Sequence, residues 1–264
     1  MWQRILTAMI GLVFFFLILF SNTVVFNCAA TVIIFAVLFE LYKATKANRW
    51  VAAVGMINSA LILWGAYHHA AQLYIILSII LYLILSVYLH PGVHYEKLYS
   101  SAFATYFITL FLLPLMQIRS DYGIEAVLLV FLFSWMTDTG AYFAGRFFGK
   151  HKLIPSVSPK KTVEGAIGGV VVAILSAWLY FWILEHFRRM ESIAGIRYQK
   201  LMILGVIASI MSQFGDLAAS VIKRDCGVKD FGSILPGHGG VLDRFDSVIV
   251  VTPLVYYFLM YVNR

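Results

Sequence analysis

Residues 220–246 read SVIKRDCGVKDFGSILPGHGGVLDRFD and lie between two long apolar runs. These 27 positions hold two Lys, two Arg, one His, four Asp and five Gly. Charge of this density beside apolar segments is costly at a membrane, and it therefore indicates a functional site. The segment Pro236–Gly240 permits unusual backbone angles and close approach to a ligand, which favours a phosphate-binding loop.

The composition of the whole chain places that stretch in a membrane protein. Of the 264 residues, 61% are hydrophobic and 12% are charged, and the mean hydropathy is +0.86. Soluble domains usually have about 25% charged residues. We therefore predict an all-α, polytopic integral membrane protein. The net charge of +7 is better explained by basic residues that meet anionic lipid headgroups than by nucleic acid, which we do not expect as a partner.

Apolar runs long enough to cross about 30 Å of hydrocarbon predict about nine transmembrane helices. The runs fall near 5–20, 24–43, 50–66, 70–89, 98–117, 122–145, 165–185, 200–223 and 245–262. Turns are marked by His68-His69, Pro91-Gly92 and Arg119–Asp121. The first run lacks a small-residue cleavage pattern, so we expect a retained helix rather than a signal peptide.

The distribution of charge predicts where the chemistry lies. Six of the seven aspartates lie at or after Asp138, and the first five spans hold almost no buried ionisable group. We expect one membrane domain, residues 1–264, in which residues 1–121 form a scaffold, a lipid-access wall or an oligomer interface. Residues 122–264 are expected to carry the site.

Lysine and arginine residues predict the orientation. Fourteen of them fall on the face that holds the N-terminus and the loops after even-numbered spans, against six on the other face. The positive-inside bias assigns the first face to the cytoplasm. Both long charged loops, 146–164 and 224–244, then face the cytoplasm. We expect a multi-pass protein of the cell inner membrane with a cytoplasmic site.

Aspartates of the last two predicted spans are candidate metal ligands. Asp216 belongs to a polar stripe on one helix face and lies about 12 Å inside the cytoplasmic end. Asp243 and Asp246, at i and i+3, project to one side of the next span. Carboxylates completed by water and phosphate suit Mg²⁺. The stripe consists of Ser209, Ser212, Asp216, Ser220 and Lys223.

Each acid also has a structural interpretation. Asp216 could form an ion pair with a lysine or arginine, since a carboxylate at that depth must pair, protonate or bind a cation. Asp243 could interact only with the helix dipole. Asp138, as deep as Asp216, is equally an arginine partner or a metal ligand. Near it, Thr137, Ala141 and Gly145 form a row of small residues that lets another helix approach.

The segment Ser158–Gly165 predicts an anion site at the start of the seventh span. Ser158 and Pro159 are expected at the N-cap and N1 positions, where free backbone N–H groups suit phosphate. Ordinary flanking charge is the alternative for the lysines, and Glu164 could tether a lysine instead of a ligand. The predicted contacts here are Ser158, Lys160, Lys161, Thr162 and Glu164.

Further substrate contacts are predicted around the Gly-rich loop. His238 could contact phosphate or be a satisfied loop residue. Lys223 is grouped with the acids as a catalytic residue. The remaining candidates are Arg224, Lys229, His238, Gly239, Gly240 and Arg244.

The segment Ser158–Gly165 and the stretch 220–246 resemble sequence motifs of the integral-membrane phosphatidate cytidylyltransferase (CDP-diacylglycerol synthase) family. The resemblance is close over 134–165 and 209–246 and general in hydropathy elsewhere. Residues 158–165 match the second motif of that family as Ser-Pro-Lys-Lys-Thr-x-Glu-Gly. The long signature matches at Ser220, Lys223-Arg224, Lys229-Asp230, Gly232, Leu235-Pro236, His238-Gly239-Gly240, Asp243-Arg244 and Asp246.

The resemblance implies that CTP and phosphatidic acid give CDP-diacylglycerol and pyrophosphate. It also implies Mg²⁺ as the cofactor, with a second cation left open, and a homodimer among membrane lipids. Two alternatives remain at this point. One is a CTP-dependent polyprenol or phytol kinase, and the other is a cation-coupled secondary transporter, which the lack of two matching halves disfavours.

Overall fold

The computed structural model describes residues 2–90, 92, 95–187 and 196–262. Across these residues the chain forms eight helices and one short hairpin, which confirms the all-α prediction. The elements are α1 Trp2–Leu19, α2 Thr23–Ala44, α3 Arg49–Tyr67, α4 Ala71–Tyr88, α5 Tyr95–Phe148, β1 Lys152–Ile154, β2 Ser158–Thr162, α6 Val163–His186, α7 Tyr198–Asp225 and α8 Leu242–Val262.

The helices follow the predicted spans. Among the described residues, α2 to α8 are each long and apolar enough to cross a membrane, and Met9–Leu19 is a shorter apolar stretch. The predicted turn at His68-His69 is confirmed, since α3 ends at Tyr67 and α4 begins at Ala71. Pro91 lies outside the described residues. The chain is a polytopic membrane protein.

One predicted boundary shifts. The two spans predicted at 98–117 and 122–145 both lie within α5, which consists of two helices joined at a kink, and Arg119–Asp121 is helical rather than a turn. The break is at Gly123, whose φ of 79° and ψ of −166° are outside the helical region and accessible to glycine. Counting α5 as two crossings and adding α1 accounts for the predicted total of about nine.

Two compact units divide the chain. The first comprises Met1–Ile18, Val24–Leu113 and Asp230–Asp243, and the second comprises Leu19–Thr23, Pro114–Lys229 and Arg244–Arg264. The Gly-rich loop therefore belongs with the N-terminal helices. The functional division predicted at residue 121 stays a prediction.

Hydroxyl groups join the helices of the first unit. The Tyr42 hydroxyl lies 2.5 Å from Oγ1 of Thr105, and the Tyr82 hydroxyl lies 3.0 Å from the same atom. Thr109 donates to the Ser59 hydroxyl oxygen at 2.9 Å. Hydrogen bonds of this kind hold helices together where water is excluded.

Small residues join the helices of the second unit. A side chain at Gly165 or Gly169 of α6 would collide with α5 backbone at Ala141 and Thr137 respectively, so the two helices are in close contact. The predicted row of small residues on this face of α5 is therefore confirmed as a packing surface. Thr137 also donates to the Ser209 hydroxyl oxygen at 2.8 Å, which ties α5 to α7.

The segment before α6 differs from its prediction. Ser158 and Pro159 lie in β2, which pairs antiparallel with β1, and they are not the N-cap and N1 residues of a helix. The N-cap is Thr162, whose hydroxyl oxygen accepts from the backbone N–H of Gly165 at 3.1 Å. The fixed φ of proline also suits an edge strand, and pairing with β1 keeps the chain extended until Thr162.

Candidate active site

A cavity of about 320 Å³ opens in the second unit between α5, the hairpin, α6 and α7. Its size is suited to a small-molecule ligand. Five of the predicted site residues reach it from three separate elements. The polar lining residues are Asp138, Tyr142, Arg146, Lys160, Lys161, Thr162, Gln213 and Asp216.

The central contact of the cavity is an ion pair. Nζ of Lys161 lies 2.5 Å from Oδ2 of Asp216, and their side chains are 26% and 30% exposed. Lys161 is carried by β2 and Asp216 by α7, so the hairpin brings the basic segment to the polar stripe. The ion-pair interpretation of Asp216 is therefore realised, and the partner is a residue predicted to bind the substrate.

Two further acids lie within electrostatic range of this pair. Asp138 interacts with Asp216, Lys161 and Arg244. Asp246 interacts with Asp216, Asp138 and Lys223. The second unit thus gathers three predicted acids and three predicted bases from α5, β2, α7 and α8.

The predicted metal ligands make other contacts in the structure. Within the described ranges, no group of three or more His, Cys, Asp or Glu residues is close enough to hold a metal ion. Oδ2 of Asp216 is paired with Lys161, and Oδ1 of Asp246 accepts from the Ser247 N–H at 2.7 Å. Asp138, Asp216 and Asp246 nevertheless supply the oxygen atoms that hard cations prefer. Metal binding stays a prediction.

The predicted phosphate loop in the first unit is a tight turn. Gly237 and Gly239 have positive φ, 77° and 83°, and Leu235 and Gly239 form a β-bridge. Oδ2 of Asp243 accepts from the backbone N–H groups of Phe231 and Gly240, each at 2.9 Å. Asp243 therefore ties the loop, which is a larger role than interaction with a helix dipole.

Glu164 also ties a loop. Its carboxylate accepts from the backbone N–H of Lys150 at 3.1 Å and that of His151 at 3.2 Å, and it lies 2.6 Å from Nδ1 of His151. It holds the start of the hairpin through these groups and not through a lysine side chain. Its role as a ligand contact stays a prediction.

The remaining candidates are placed in several environments. Arg224 donates from Nε to the Val157 carbonyl at 3.5 Å, so the end of α7 contacts the hairpin. Ser158 is half-buried in β2, and Lys229 is exposed. His238 is half-buried in the Gly-rich loop. Their contacts with substrate stay predictions.

Sequence reasoning missed three residues. Arg146 and Gln213 line the cavity, and Arg146 donates to the Tyr142 hydroxyl at 3.0 Å. Arg146 falls eight residues after Asp138, so helical periodicity places both on one face. The third is Glu40 of α2, which is 1% exposed and accepts from the Leu242 N–H at 2.8 Å. The sequence feature that could have identified Glu40 is its position as the single acid in an otherwise apolar run.

Fold and site together define a polytopic membrane protein in which α5, α6, α7 and the hairpin line a cavity that contains both acids and bases. The chain belongs to the cytidylyltransferase family, whose family model matches residues 2–262. The resemblance noted from the sequence is thereby confirmed over nearly the whole chain.

Individual relatives carry more specific names. The chain is 46% identical over 137 residues to the phosphatidate cytidylyltransferase of Staphylococcus haemolyticus, covering 52% of this chain and 49% of that protein. It is 42% identical over 146 residues to that of Bacillus subtilis, covering 54% and 51%. It is 43% identical over 141 residues to that of Haemophilus influenzae, covering 53% and 48%. The matched region spans about half the length of these relatives.

Proposed function

We propose that the chain is a phosphatidate cytidylyltransferase. It transfers CMP from CTP to phosphatidic acid and releases CDP-diacylglycerol and pyrophosphate. The observation that carries the proposal is the cavity in which Lys160, Lys161 and Arg146 lie beside Asp138 and Asp216. Relatives that share about half of their length with the chain bear the name of this activity.

The chemistry needs positioning and charge rather than a protein nucleophile. An oxygen of the lipid phosphate attacks the α-phosphorus of CTP, a new P–O–P bond forms, and the bond to the β-phosphate breaks. The electron pair of that bond leaves with pyrophosphate. Because both reactants are anions, holding them together is the main barrier that the protein must lower.

The basic residues are proposed to hold the nucleotide. Lys160 and Lys161 neutralise the phosphates of CTP as point charges, and Arg146 offers a planar guanidinium that suits bidentate contact with phosphate. Lys223 and Arg224 are proposed to stabilise the leaving pyrophosphate. Thr162 caps α6, and the helix start beside it favours a negative group.

The acids are proposed to hold Mg²⁺, with Asp216, Asp243 and Asp246 as ligands and Asp138 as a further candidate. When bound, Mg²⁺ supplies charge neutralisation on the phosphates. Lys161 is paired with Asp216, and it is therefore available to CTP only after that pair opens. The proposal includes a homodimer in the cell inner membrane with its site facing the cytoplasm.

A product assay tests the function. Purified protein in lipid vesicles is incubated with CTP labelled in the α-phosphate, Mg²⁺ and phosphatidic acid. Label in CDP-diacylglycerol, with an equal amount of pyrophosphate, is the expected result. Phosphate transfer from γ-labelled CTP to a polyprenol would indicate the kinase instead, and cation-driven uptake without lipid labelling would indicate a transporter.

A further inference from the structure

A buried acid outside the cavity stands out among the described residues. Glu40 lies in α2, four residues before the helix ends at Ala44, and it is 1% exposed. A carboxylate in a membrane-spanning helix is costly unless it is paired or hydrogen-bonded. Its contacts are with Gly232, Gly240 and Leu242, more than 190 residues further along the chain.

The first contact is with the start of α8. Oε2 of Glu40 accepts from the backbone N–H of Leu242 at 2.8 Å, and Leu242 is the first residue of that helix. The first N–H groups of a helix have no partner within it and carry partial positive charge. A carboxylate supplied by another helix satisfies one of them, so Glu40 fixes where α8 begins.

The second contact is with Gly232 and Gly240, which lie on either side of the turn closed by Leu235 and Gly239. A side chain on Gly232 or on Gly240 would collide with the carboxylate of Glu40, and for both glycines every nearest atom belongs to Glu40. Neither glycine has a positive φ, so neither is required by its backbone conformation. A Cβ at either position would displace the end of the Glu40 side chain, so both glycines pack directly against that carboxylate.

The same loop is held from within by Asp243. Oδ2 of Asp243 accepts from Phe231 and Gly240, whose N–H groups flank the turn. One carboxylate from α2 and one from α8 thus close the loop from two sides. Oε1 of Glu40 has no hydrogen-bond partner among the described residues, so the contact to Leu242 is the polar contact that holds this side chain.

We propose that Glu40 is a positioning residue for the reaction. It acts through the Gly-rich loop and the first turn of α8, and thereby sets the location of Asp243 and of the residues of Pro236–Gly240. This inference rests on the proposed function, since that function gives the loop its task. Displacing a catalytic group by about 1 Å can cost on the order of 100-fold in rate.

Two substitutions separate positioning from packing. Glu40→Leu keeps the size of the side chain and removes the acceptor, whereas Glu40→Gln keeps an oxygen that can accept from Leu242. Glu96→Leu is the matched control, because Glu96 is an exposed acid of the same unit. Each full-length variant in vesicles is assayed for kcat, for KM with CTP, for melting temperature and for hydrogen exchange of peptides covering 230–242.

We expect faster exchange in residues 230–242 of Glu40→Leu, with other peptides unchanged. Its kcat should fall about 10-fold to 100-fold, with a change in KM for CTP of less than about threefold. Glu40→Gln should stay within about threefold of the parent in both constants, and Glu96→Leu should match the parent. Faster loop exchange with normal kcat would make Glu40 a structural residue only, and unchanged loop exchange would overturn the proposal.

A second set of variants tests the same contact from the side of Gly232. Gly232→Ala places a methyl group against Glu40, so it should lower kcat in the parent. In the double variant with Glu40→Ala, Gly232→Ala should lower kcat little further than Glu40→Ala alone does, because the Glu40 atoms that it would meet are absent. Additive losses would overturn the proposal. If the parent makes no CDP-diacylglycerol, the proposed function fails, and loop exchange still reports whether Glu40 holds the loop.

Discussion

Nζ of Lys161 lies 2.5 Å from Oδ2 of Asp216, so a residue predicted to bind substrate holds a residue predicted to bind metal. The pair is neither fully buried nor fully exposed, with side chains 26% and 30% accessible. Nζ of Lys161 is itself shielded from solvent, so the small contribution of solvent-exposed ion pairs does not apply to this contact. The pair places a base and an acid side by side in the wall of the cavity, where a bound ligand would meet both.

The first prediction separates these two roles of the pair. Lys161→Met and Asp216→Asn should each lower turnover about 100-fold, because each removes a charge beside the reacting phosphates. Each variant should remain folded, whereas a pair that served only the fold would cost about 3–5 kcal/mol when broken. CDP-diacylglycerol formation and thermal melting in detergent measure the two effects. Normal turnover with a large loss of melting temperature would favour the structural interpretation.

The second prediction concerns the acids as a group. Asp216→Asn, Asp243→Asn and Asp246→Asn should each lose most turnover, and a double variant should be little worse than a single one, because residues acting as a unit are non-additive. Asparagine keeps an oxygen for the loop contacts of Asp243 while it removes the charge. Turnover is measured across a Mg²⁺ titration, with a chelator as the zero point.

The control for that experiment is a comparison of the Mg²⁺ dependence of each variant with that of the parent protein. If Asp246→Asn showed parental activity and a parental Mg²⁺ profile, the proposed metal site would be excluded. If an Asn variant were inactive only because its melting temperature collapsed, a structural role would be indicated, since breaking a buried pair costs about 3–5 kcal/mol.

The third prediction concerns orientation. Single cysteines at Ser156 and Ser233 should react with an impermeant thiol reagent from the cytoplasmic side, and one at Ser120 from the other side. All three positions are exposed. The native Cys28 and Cys226 are free thiols and must first be replaced, with activity checked. Labelling of Ser156 and Ser233 from opposite sides would contradict the predicted orientation and the composite site.

The fourth prediction concerns the start of α6. Thr162→Val removes the hydroxyl that caps the helix and should destabilise the protein by about 1 kcal/mol. Thr162→Ser keeps the hydroxyl and should melt close to the parent. Thermal melting of the two variants is the measurement, and equal melting temperatures for Val and Ser would show that the hydrogen bond to Gly165 does not stabilise the helix.

The features that could be predicted from the sequence are those that depend on short segments of the chain. The spans followed from the length of apolar segments that hydrocarbon requires, and Asp138 and Asp216 followed from ionisable groups inside such segments. The cavity gathers five predicted residues because their segments carry charge that must lie near membrane-spanning helices without facing lipid. Helical spacing from Asp138 would also have placed Arg146 on the same helix face, although it was not predicted as a site residue.

Features set by tertiary partners could not be predicted. Ser158 and Pro159 fit a helix start or an edge strand equally well, and pairing with Lys152–Ile154 decides between them. Lys161 and Lys160 are equivalent in sequence, and only the approach of α7 selects Lys161 for Asp216. Glu40 meets Leu242 across 202 positions, which no local pattern encodes.

That separation has a consequence for biosynthesis. Glu40 enters the membrane with α2, whereas its partner Leu242 is made 202 residues later. At about 5–20 residues per second, the carboxylate waits roughly 10–40 seconds for the N–H that completes it. Until Leu242 is made, Glu40 must be neutralised by a proton or solvated at the membrane edge. The burial of Glu40 is therefore a late event in the synthesis of this chain.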